Sequence, residues 1–585
     1  MKRLIAVLLV ALLLTATFTG CNKQEQKPTE QSKISWVTAS GDSSFNGSSP
    51  NSANQNSNSA QQGETSSTAS DSYVSSNSPN NTNSKVPTQN NSYSEPTTSS
   101  SPSYSTIPSR SITYYDGNTE VCDLYFSNDY WSMPFAREDD GRITKKGYVL
   151  LGYSLEKNGK GNLIRPGYKY TLPSGNGERN LYCVWAKETT ASDFKTTNYG
   201  GGLKITDYNG SDTVVYIPRE IGGKTVTAIG ANAFANNKSL KEVHITSSVL
   251  EVENSAFANC KNLKTVTLYD NLTAISDSSF ANCPVKTVRL CAGKTPRYIT
   301  SVETFGIKYE RLIKTKGQKR VIIVAGSSAL YGIDSDYMQS LFKDKVTVIN
   351  FGTNANQSII YYLEAIAPYL TKNDIVIFSP EQYGEFAYHT NGNPEMPSVT
   401  LQGTSTCYNL FENIDASKYT NIFNAIGQYC NESARMPELT WEDYSYKVDK
   451  YGDLSTLTSE MNSPDFRFGA NGYFRFNESV IPQKYISNLN RVIDTINKTD
   501  ARIFFSYPPH NKNNVEKSSL NDSAYNSYNK WIAKTVHCPL ISDIRDYIHN
   551  AEYFANTDYH LNTVGRELHS KQLAQDIKAA KIGIK

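Results

Sequence analysis

Three phenylalanines, Phe234, Phe257 and Phe280, recur at a spacing of 23 residues inside near-identical frames: Asn232-Ala233-Phe234-Ala235-Asn236, Ser255-Ala256-Phe257-Ala258-Asn259 and Ser278-Ser279-Phe280-Ala281-Asn282. A short strand-like run follows each frame, at Leu240–Ile245, Leu263–Leu268 and Val285–Leu290. A unit this short cannot bury its own apolar face. It must stack on its neighbours, so residues 196–292 are predicted to form a solenoid. Cys260 and Cys283 occupy equivalent positions in successive units. They read as small buried residues of a turn ladder rather than a disulfide or a metal pair. His244 is expected to face out of its strand, as a structural or solvated residue.

These frames resemble the BspA-type leucine-rich repeat of bacterial surface proteins. The repeats are one part of a longer series. Met1-Lys2-Arg3 precedes an apolar run, Leu4 to Ala16, that is too short to span a bilayer and reads as a signal-peptide core. Phe18-Thr19-Gly20-Cys21 resembles a lipobox. The resemblance implies removal of residues 1–20, acylation of Cys21, and an anchor on the extracellular face of the bacterial cell membrane. Residues 21–110 are Ser, Asn, Thr, Gln and Pro with few large apolar side chains. They cannot offset their chain entropy by burial and are predicted to be a disordered tether spanning roughly 50 Å r.m.s..

Residues 111–188 read as short alternating strands broken by glycine turns, with landmarks at Ile112–Gly117, Gly147–Ser154 and Leu181–Trp185. The stretch resembles the Listeria–Bacteroides repeat module of internalin-type surface proteins, with Tyr153 at the usual aromatic position. The resemblance implies a β-grasp-like spacer or adhesive unit. Cys122 and Cys183 lie near its two ends and are a candidate disulfide pair.

The last 290 or so residues, 296–585, change character. Lys319–Ala325 is a β-branched run leading into the turn Gly326-Ser327-Ser328. Further buried runs lie at Lys345–Asn350, Asp374–Phe378 and Ala501–Ser506, with helical stretches at Ser358–Leu370 and Tyr485–Lys498. Alternating β and α units predict a doubly wound, flavodoxin-like parallel sheet with its ligand site at the carboxyl ends of the strands. Ser328 falls there. A serine needs a histidine to take its proton and an acid to orient that histidine. Asp558-Tyr559-His560-Leu561-Asn562 offers both near the C-terminus.

This pairing resembles the SGNH (GDSL-like) hydrolases. Gly326-Ser327-Ser328 matches the first block, with Ser327 where Asp is usual. Asn350-Phe351-Gly352-Thr353-Asn354 matches the second, and Asp558–Asn562 the last. The resemblance implies Ser328 as nucleophile, His560 as base and Asp558 as acid. It also implies an oxyanion hole from the Ser328 and Gly352 amides. The third block lacks its Asn. Ser379-Pro380-Glu381-Gln382 stands there, so Gln382 is the expected further donor, and a carboxylate at Glu381 would repel an oxyanion unless protonated or turned away. Asn556, at the position some members give the acid, cannot act as a carboxylate. His389 and His510 are rival bases, whereas His537, His549 and His569 carry no motif.

An insertion at about 386–480, with Trp441, Tyr444, Tyr446 and Tyr451, is expected to cap the pocket. No P-loop, dinucleotide fingerprint, CxxC pair or metal-ligand spacing appears, so neither cofactor nor metal is implied. A formal net charge of +2 gives no field to attract nucleic acid. The expected partners are the membrane, through the lipid anchor, and a surface or extracellular glycan whose O-acyl group, acetyl above all, is removed or transferred. The long tether favours hydrolysis, because it does not hold the domain against a membrane acyl donor. The alternative is a non-enzymatic surface adhesin whose repeats bind a protein or cell ligand, with a degenerate hydrolase-like domain as passenger.

Overall fold

The computed structural model describes residues 110–126, 143–168, 179–292, 304–353, 359–381, 408–419, 421–435, 448–455, 457, 474–477, 482–555 and 557–582. Cys21 and the tether lie outside them, as do Asn354, Gln382, His389, Trp441, Tyr444, Tyr446 and Asn556. No helix of the described residues is long and apolar enough to cross a membrane.

The small module has four strands: β1 (Arg110–Asp116), β2 (Thr119–Phe126), β3 (Tyr148–Ser154) and β4 (Arg179–Lys187). They form a mixed sheet in the order β2-β1-β4-β3, in which β1 and β4 run parallel and the outer pairs antiparallel. Tyr114 and Tyr153 fill its core edge to face, 4.8 Å apart. No bridge joins Cys122 and Cys183. They lie on β2 and β4 with β1 between, about two strand spacings (~9–10 Å) apart, beyond disulfide reach.

The solenoid follows, with β5 (Phe194–Tyr199), β6 (Gly202–Tyr208), β7 (Val214–Tyr216), β8 (Glu220–Ile221), β9 (Lys224–Ile229), β10 (Glu242–His244), β11 (Glu251–Val252), β12 (Thr265–Tyr269) and β13 (Thr287–Cys291). One sheet is the parallel ladder β7-β10-β12-β13, and the other runs β5-β6-β9-β11. The recurring asparagines have a backbone reason. Asn236, Asn259 and Asn282 all adopt left-handed φ, between 61° and 64°, which asparagine tolerates better than most residues. Cys260 and Cys283 donate their thiols to the carbonyls of Phe234 and Phe257, one turn back, as ladder residues. His244 differs from expectation. It is buried between Tyr216 and Tyr269, and burial pushes it down to about 3, so it is neutral.

The α/β domain contains α1 (Thr304–Lys314), β14 (Arg320–Ala325), α2 (Ser327–Gly332), α3 (Ser335–Leu341), β15 (Thr347–Gly352), α4 (Ile359–Ile366), β16 (Asp374–Ser379), α5 (Tyr408–Phe411), α6 (Ile422–Arg435), α7 (Gln483–Ile496), β17 (Arg502–Phe505), β18 (His510–Asn511), α8 (Asp522–Thr535), β19 (Ile548–His549) and α9 (Thr563–Ala579). Its main sheet is fully parallel in the order β15-β14-β16-β17. Every residue of β14 and β16 is buried, as a sheet covered on both faces requires. At the amino ends, Arg320 and Asp374 pair across the register through two 2.6 Å bonds, both side chains fully buried. The strand order reverses at β14, so the crevice opens beyond Ala325.

Leu454 and Leu457 of the insertion pack with Leu330 and Tyr331 beside the crevice. Its 408–435 segment closes the open end of the solenoid. Phe234, Phe257 and Phe280 stack at 4.7 and 5.0 Å, and Phe423 of α6 continues the column at 4.2 Å. Asp277 accepts from the Phe423 amide, and Asn424 accepts from the Asp277 amide. Glu412 binds Arg289 of the last repeat and Tyr168 of the small module. A solenoid needs such a cap, since its final unit has no successor to cover it. Phe423→Ala is expected to destabilise the protein by about 3–5 kcal/mol. Denaturant unfolding checks this, and an unchanged midpoint would show that the column ends at Phe280.

Candidate active site

Three of the four sheet strands lead into the crevice. β14 ends in Gly326 and then Ser327 and Ser328, β15 in Gly352, and β16 leads to Glu381. His560 arrives from the far end of the chain. Its Nε2 lies 2.7 Å from Oγ of Ser327. The serine facing the base is therefore Ser327, not the expected Ser328, whose buried Oγ has no hydrogen-bond partner. The reason is local. α2 begins at once after Gly326, and the first helical turn aims successive side chains about 100° apart.

Glu381 is not turned away. Ser327 Oγ donates to its Oε1 at 3.1 Å, and the Ser328 amide donates to the same oxygen. Gly326 makes room for it: a Cβ there would stand 2.8 Å from the carboxyl group. The carboxylate thus sits on the Ser328 amide, the place where the hydrolase resemblance would put an oxyanion. The other expected donor is also committed. The Gly352 amide donates to Asn350 Oδ1 at 2.8 Å. A Cβ on Gly352 would run into the backbone of α2, so this glycine serves close packing.

Behind Gly352 lies a buried polar network. Asn350 donates to the Ala329 carbonyl at 2.9 Å and to Asp453 at 3.0 Å, and Asp453 also accepts from the Ser335 amide at 2.6 Å. Arg566 of α9 stands 3.8 Å from Asp453 and binds the Ile333 and Leu454 carbonyls. Lys308 of α1 donates to the Gly352 carbonyl at 2.6 Å, and burial lowers it to about 8. Sequence reading missed this network. Asp453 and Lys308 carry no motif, and they meet only because three distant segments converge. Tyr451, expected over the pocket, instead binds Asp336 and lies under Arg311.

His560 sits on a hairpin closed by the Phe554–Leu561 bridge and by Asn562, which caps α9 through the Gly565 amide. Its ring stacks on Tyr331 at 3.9 Å and 2°. Tyr331 lies one helical turn after Ser327, a spacing that would have revealed it. Asp558 makes no bond to His560. Its Oδ1 is buried without a partner, and burial raises the carboxyl to about 7. The orienting role expected of Asp558 is thus not what this geometry provides, because residues 557–559 form a bend rather than a strand and the buried Asp558 Oδ1 is left without a partner.

Beneath the hairpin lie His510, His549 and His569, all buried. His510 Nε2, His549 Nε2 and His569 Nδ1 have no hydrogen-bond partners. None contacts Ser327, so His510 is not a rival base. His537 is exposed and pairs with Asp494.

The repeat region matches a known family, and the chain resembles several solved structures. Residues 221–305 match the family model of the BspA type leucine rich repeat region, in six copies. This segment is a BspA-type leucine-rich repeat region. The chain is similar to the T. pallidum leucine-rich repeat protein, at 19% identity over 33% of this chain and 71% of that one, with a TM-score of 0.16. It is similar to a leucine-rich cell surface protein of Faecalibacterium prausnitzii, at 17% identity over 33% and 45%, with a TM-score of 0.14. It is also similar to the YxiM protein of Bacillus subtilis, at 12% identity over 46% and 58%, with a TM-score of 0.25. The chain thus spans only about half the length of the last two. No curated protein matches it.

The histidine cluster has a pH consequence. Burial holds His510 and His569 down to about 3 and His549 to about 4, with mutual repulsion adding to the effect on the first two. Their folded values lie below the ordinary 6.5, so the unfolded chain binds protons first. The stability they permit is complete above pH 6.5 and falls as pH drops toward 4. Asp558, raised, acts in the opposite direction, favouring the fold below its ordinary value and losing that contribution as pH rises through 7. His244 and His560, also held to about 3 by burial, act with the three, and together they outweigh Asp558. The melting temperature is expected to fall between pH 7 and 4.5, and a flat profile would refute neutral burial of the three.

Proposed function

We propose that this chain is a surface recognition protein in which the repeats, capped and held against the small module, present the binding surface. The observation that carries this reading is the BspA-type repeat match over residues 221–305, since repeats of this type are typical of surface-associated proteins. The lipobox-like Cys21 and the long polar stretch after it support display on the outer face of the membrane. Lys241, Lys264 and Lys286 form an exposed ladder, one per repeat, with successive backbones bonded at 2.9 Å. Beads coated with the full chain are expected to adhere to bacterial or host cells. Reversing the three lysines to Glu is expected to cut adhesion by about tenfold, the scale of a few lost charge contacts. Adhesion that ignores the repeats' surface would sink the reading.

A second reading, a serine esterase or acyltransferase acting on glycan O-acyl groups, is favoured by the 2.7 Å contact between Ser327 and His560. In that reaction His560 takes the Ser327 proton and Ser327 attacks the ester carbonyl. The alkoxide leaves with that proton, and water or a sugar hydroxyl then accepts the acyl group. Lys308 and Asn350 hold the α2–β15 junction in place. Glu381 must first withdraw from the Ser328 amide, because a carboxylate there opposes a developing oxyanion. Fluorophosphonate labelling tests this. Ser327→Ala is expected to abolish labelling, Ser328→Ala to retain it, and Glu381→Ala to speed it about tenfold or more. Failure of both wild type and Glu381→Ala to label would leave the domain without hydrolase chemistry.

A further inference from the structure

The solenoid carries a row of cations along one edge. Lys241, Lys264 and Lys286 each stand just before the parallel strand of their repeat, and all three are exposed. The backbone fixes them in register. The Lys241 amide donates to the Thr213 carbonyl at 2.8 Å, Lys264 to Lys241 at 2.9 Å and Lys286 to Lys264 at 2.9 Å. The capping segment adds one more rung, because the Ala416 amide donates to the Lys286 carbonyl at 2.7 Å. The lysines therefore repeat along the solenoid axis at one strand spacing, ~4.8 Å. Lys238 and Lys261 are exposed on the same loops.

Elsewhere on the repeats charge is matched within the fold. Lys195 pairs with Asp207 and Lys204 with Glu253, while Arg165 and Arg289 answer Glu242 and Glu412. Among the described residues, Lys238, Lys241, Lys264 and Lys286 have no ion-pair partner. Asp212 and Asp415 flank the row at its two ends, next to Thr213 and Ala416, and leave the three rungs between them to the lysines. Like charges facing each other across a ladder repel, and an external anion on each rung relieves that repulsion. Beside the cations runs a second row, Asn236, Asn259 and Asn282, in which the Asn282 side chain donates to Asn259 at 3.0 Å. These amides suit hydroxyl groups. Residues 236–241, 259–264 and 282–286 hold no aromatic ring, so the edge lacks the stacking platform that a single-stranded nucleic acid uses.

We infer that this lysine row binds a linear acidic polysaccharide with one carboxylate on each sugar ring, laid along the solenoid axis. The inference rests on the recognition reading and gives it a ligand class. A chain of linked pyranose rings advances by about one strand spacing per ring, so its carboxylates fall in step with the lysines and its hydroxyls lie along the asparagines.

The test is calorimetric titration of the full chain with pentagalacturonate, beside single galacturonate, neutral maltopentaose and an oligothymidylate of equal charge. Saturable binding of pentagalacturonate is expected, tighter than that of galacturonate by about tenfold or more and weakened several-fold between about 50 and 200 mM salt. Lys264→Gln is expected to weaken it about threefold, and the triple change Lys241→Gln, Lys264→Gln and Lys286→Gln about tenfold or more. Lys195→Gln, which removes an exposed lysine already paired with Asp207, is expected to leave it unchanged. These are surface substitutions, so the fold tolerates them. Absence of saturable binding overturns the inference, as does a triple variant that binds like wild type. Galacturonate binding as tightly as the pentamer overturns it in favour of a single anion contact, and oligothymidylate binding as tightly overturns it in favour of an unspecific polyanion surface. The two readings fail separately. Beads that adhere to cells through the lysine row while pentagalacturonate does not bind refute the polysaccharide alone. Pentagalacturonate bound by a chain whose beads never adhere refutes cell recognition and leaves the row its ligand.

Discussion

The contact between Phe280 and Phe423 joins the repeats to the α/β domain. The repeats alone would end in a bare aromatic face, and α6 would lie over the α/β domain with an uncovered ring. Stacking at 4.2 Å satisfies both. Polar contacts then set its register: Asp277 and Asn424 exchange bonds with each other's segments, and Glu412 gathers Arg289, Arg165 and Tyr168. Glu412 is held below the usual carboxylate range despite burial, because Arg165 and Arg289 flank it and Tyr168 bonds it. One acid thus ties the small module, the last repeat and the insertion together.

The same logic of buried polar pairing shapes the crevice. The Arg320–Asp374 pair secures the amino ends of the central strands, while Asn350, Asp453 and Arg566 secure the carboxyl ends. Buried charges of this kind contribute little net stability but are costly to break. They hold α2 against β15 so closely that only glycine fits at position 352. Ser327 and His560 are therefore positioned by packing several residues away from either.

Glu381 gives the site its particular character. An amide at the start of α2 would ordinarily await a developing negative charge, yet here a side-chain carboxylate already accepts from it. Oγ of Ser327 lies within hydrogen-bond reach of both that carboxylate and His560. His560 and Ser327 are in contact, but in a closed arrangement. The esterase reading therefore turns on whether Glu381 leaves, whereas the recognition reading rests on the repeats.

Much of the architecture was legible in the chain alone. The 23-residue phenylalanine period demanded a stacked solenoid, because local units without cores must share one. The β-branched runs at 319–325 and 374–378 demanded a covered parallel sheet and placed a serine and a histidine at its carboxyl edge. These features are periodic or local, and short-range sterics and burial decide them. What only the tertiary structure decided depends on angles and on distant encounters. The choice of Ser327 over Ser328 turned on about 100° of helix phase. The separation of Asp558 from His560, the spending of the Gly352 amide on Asn350, and the approach of Glu381 over Gly326 each depend on segments far apart in sequence. The insertion's role as a cap on the repeats was hidden for the same reason. Composition identifies a ring that must be buried, but only the assembled fold determines which surface buries it.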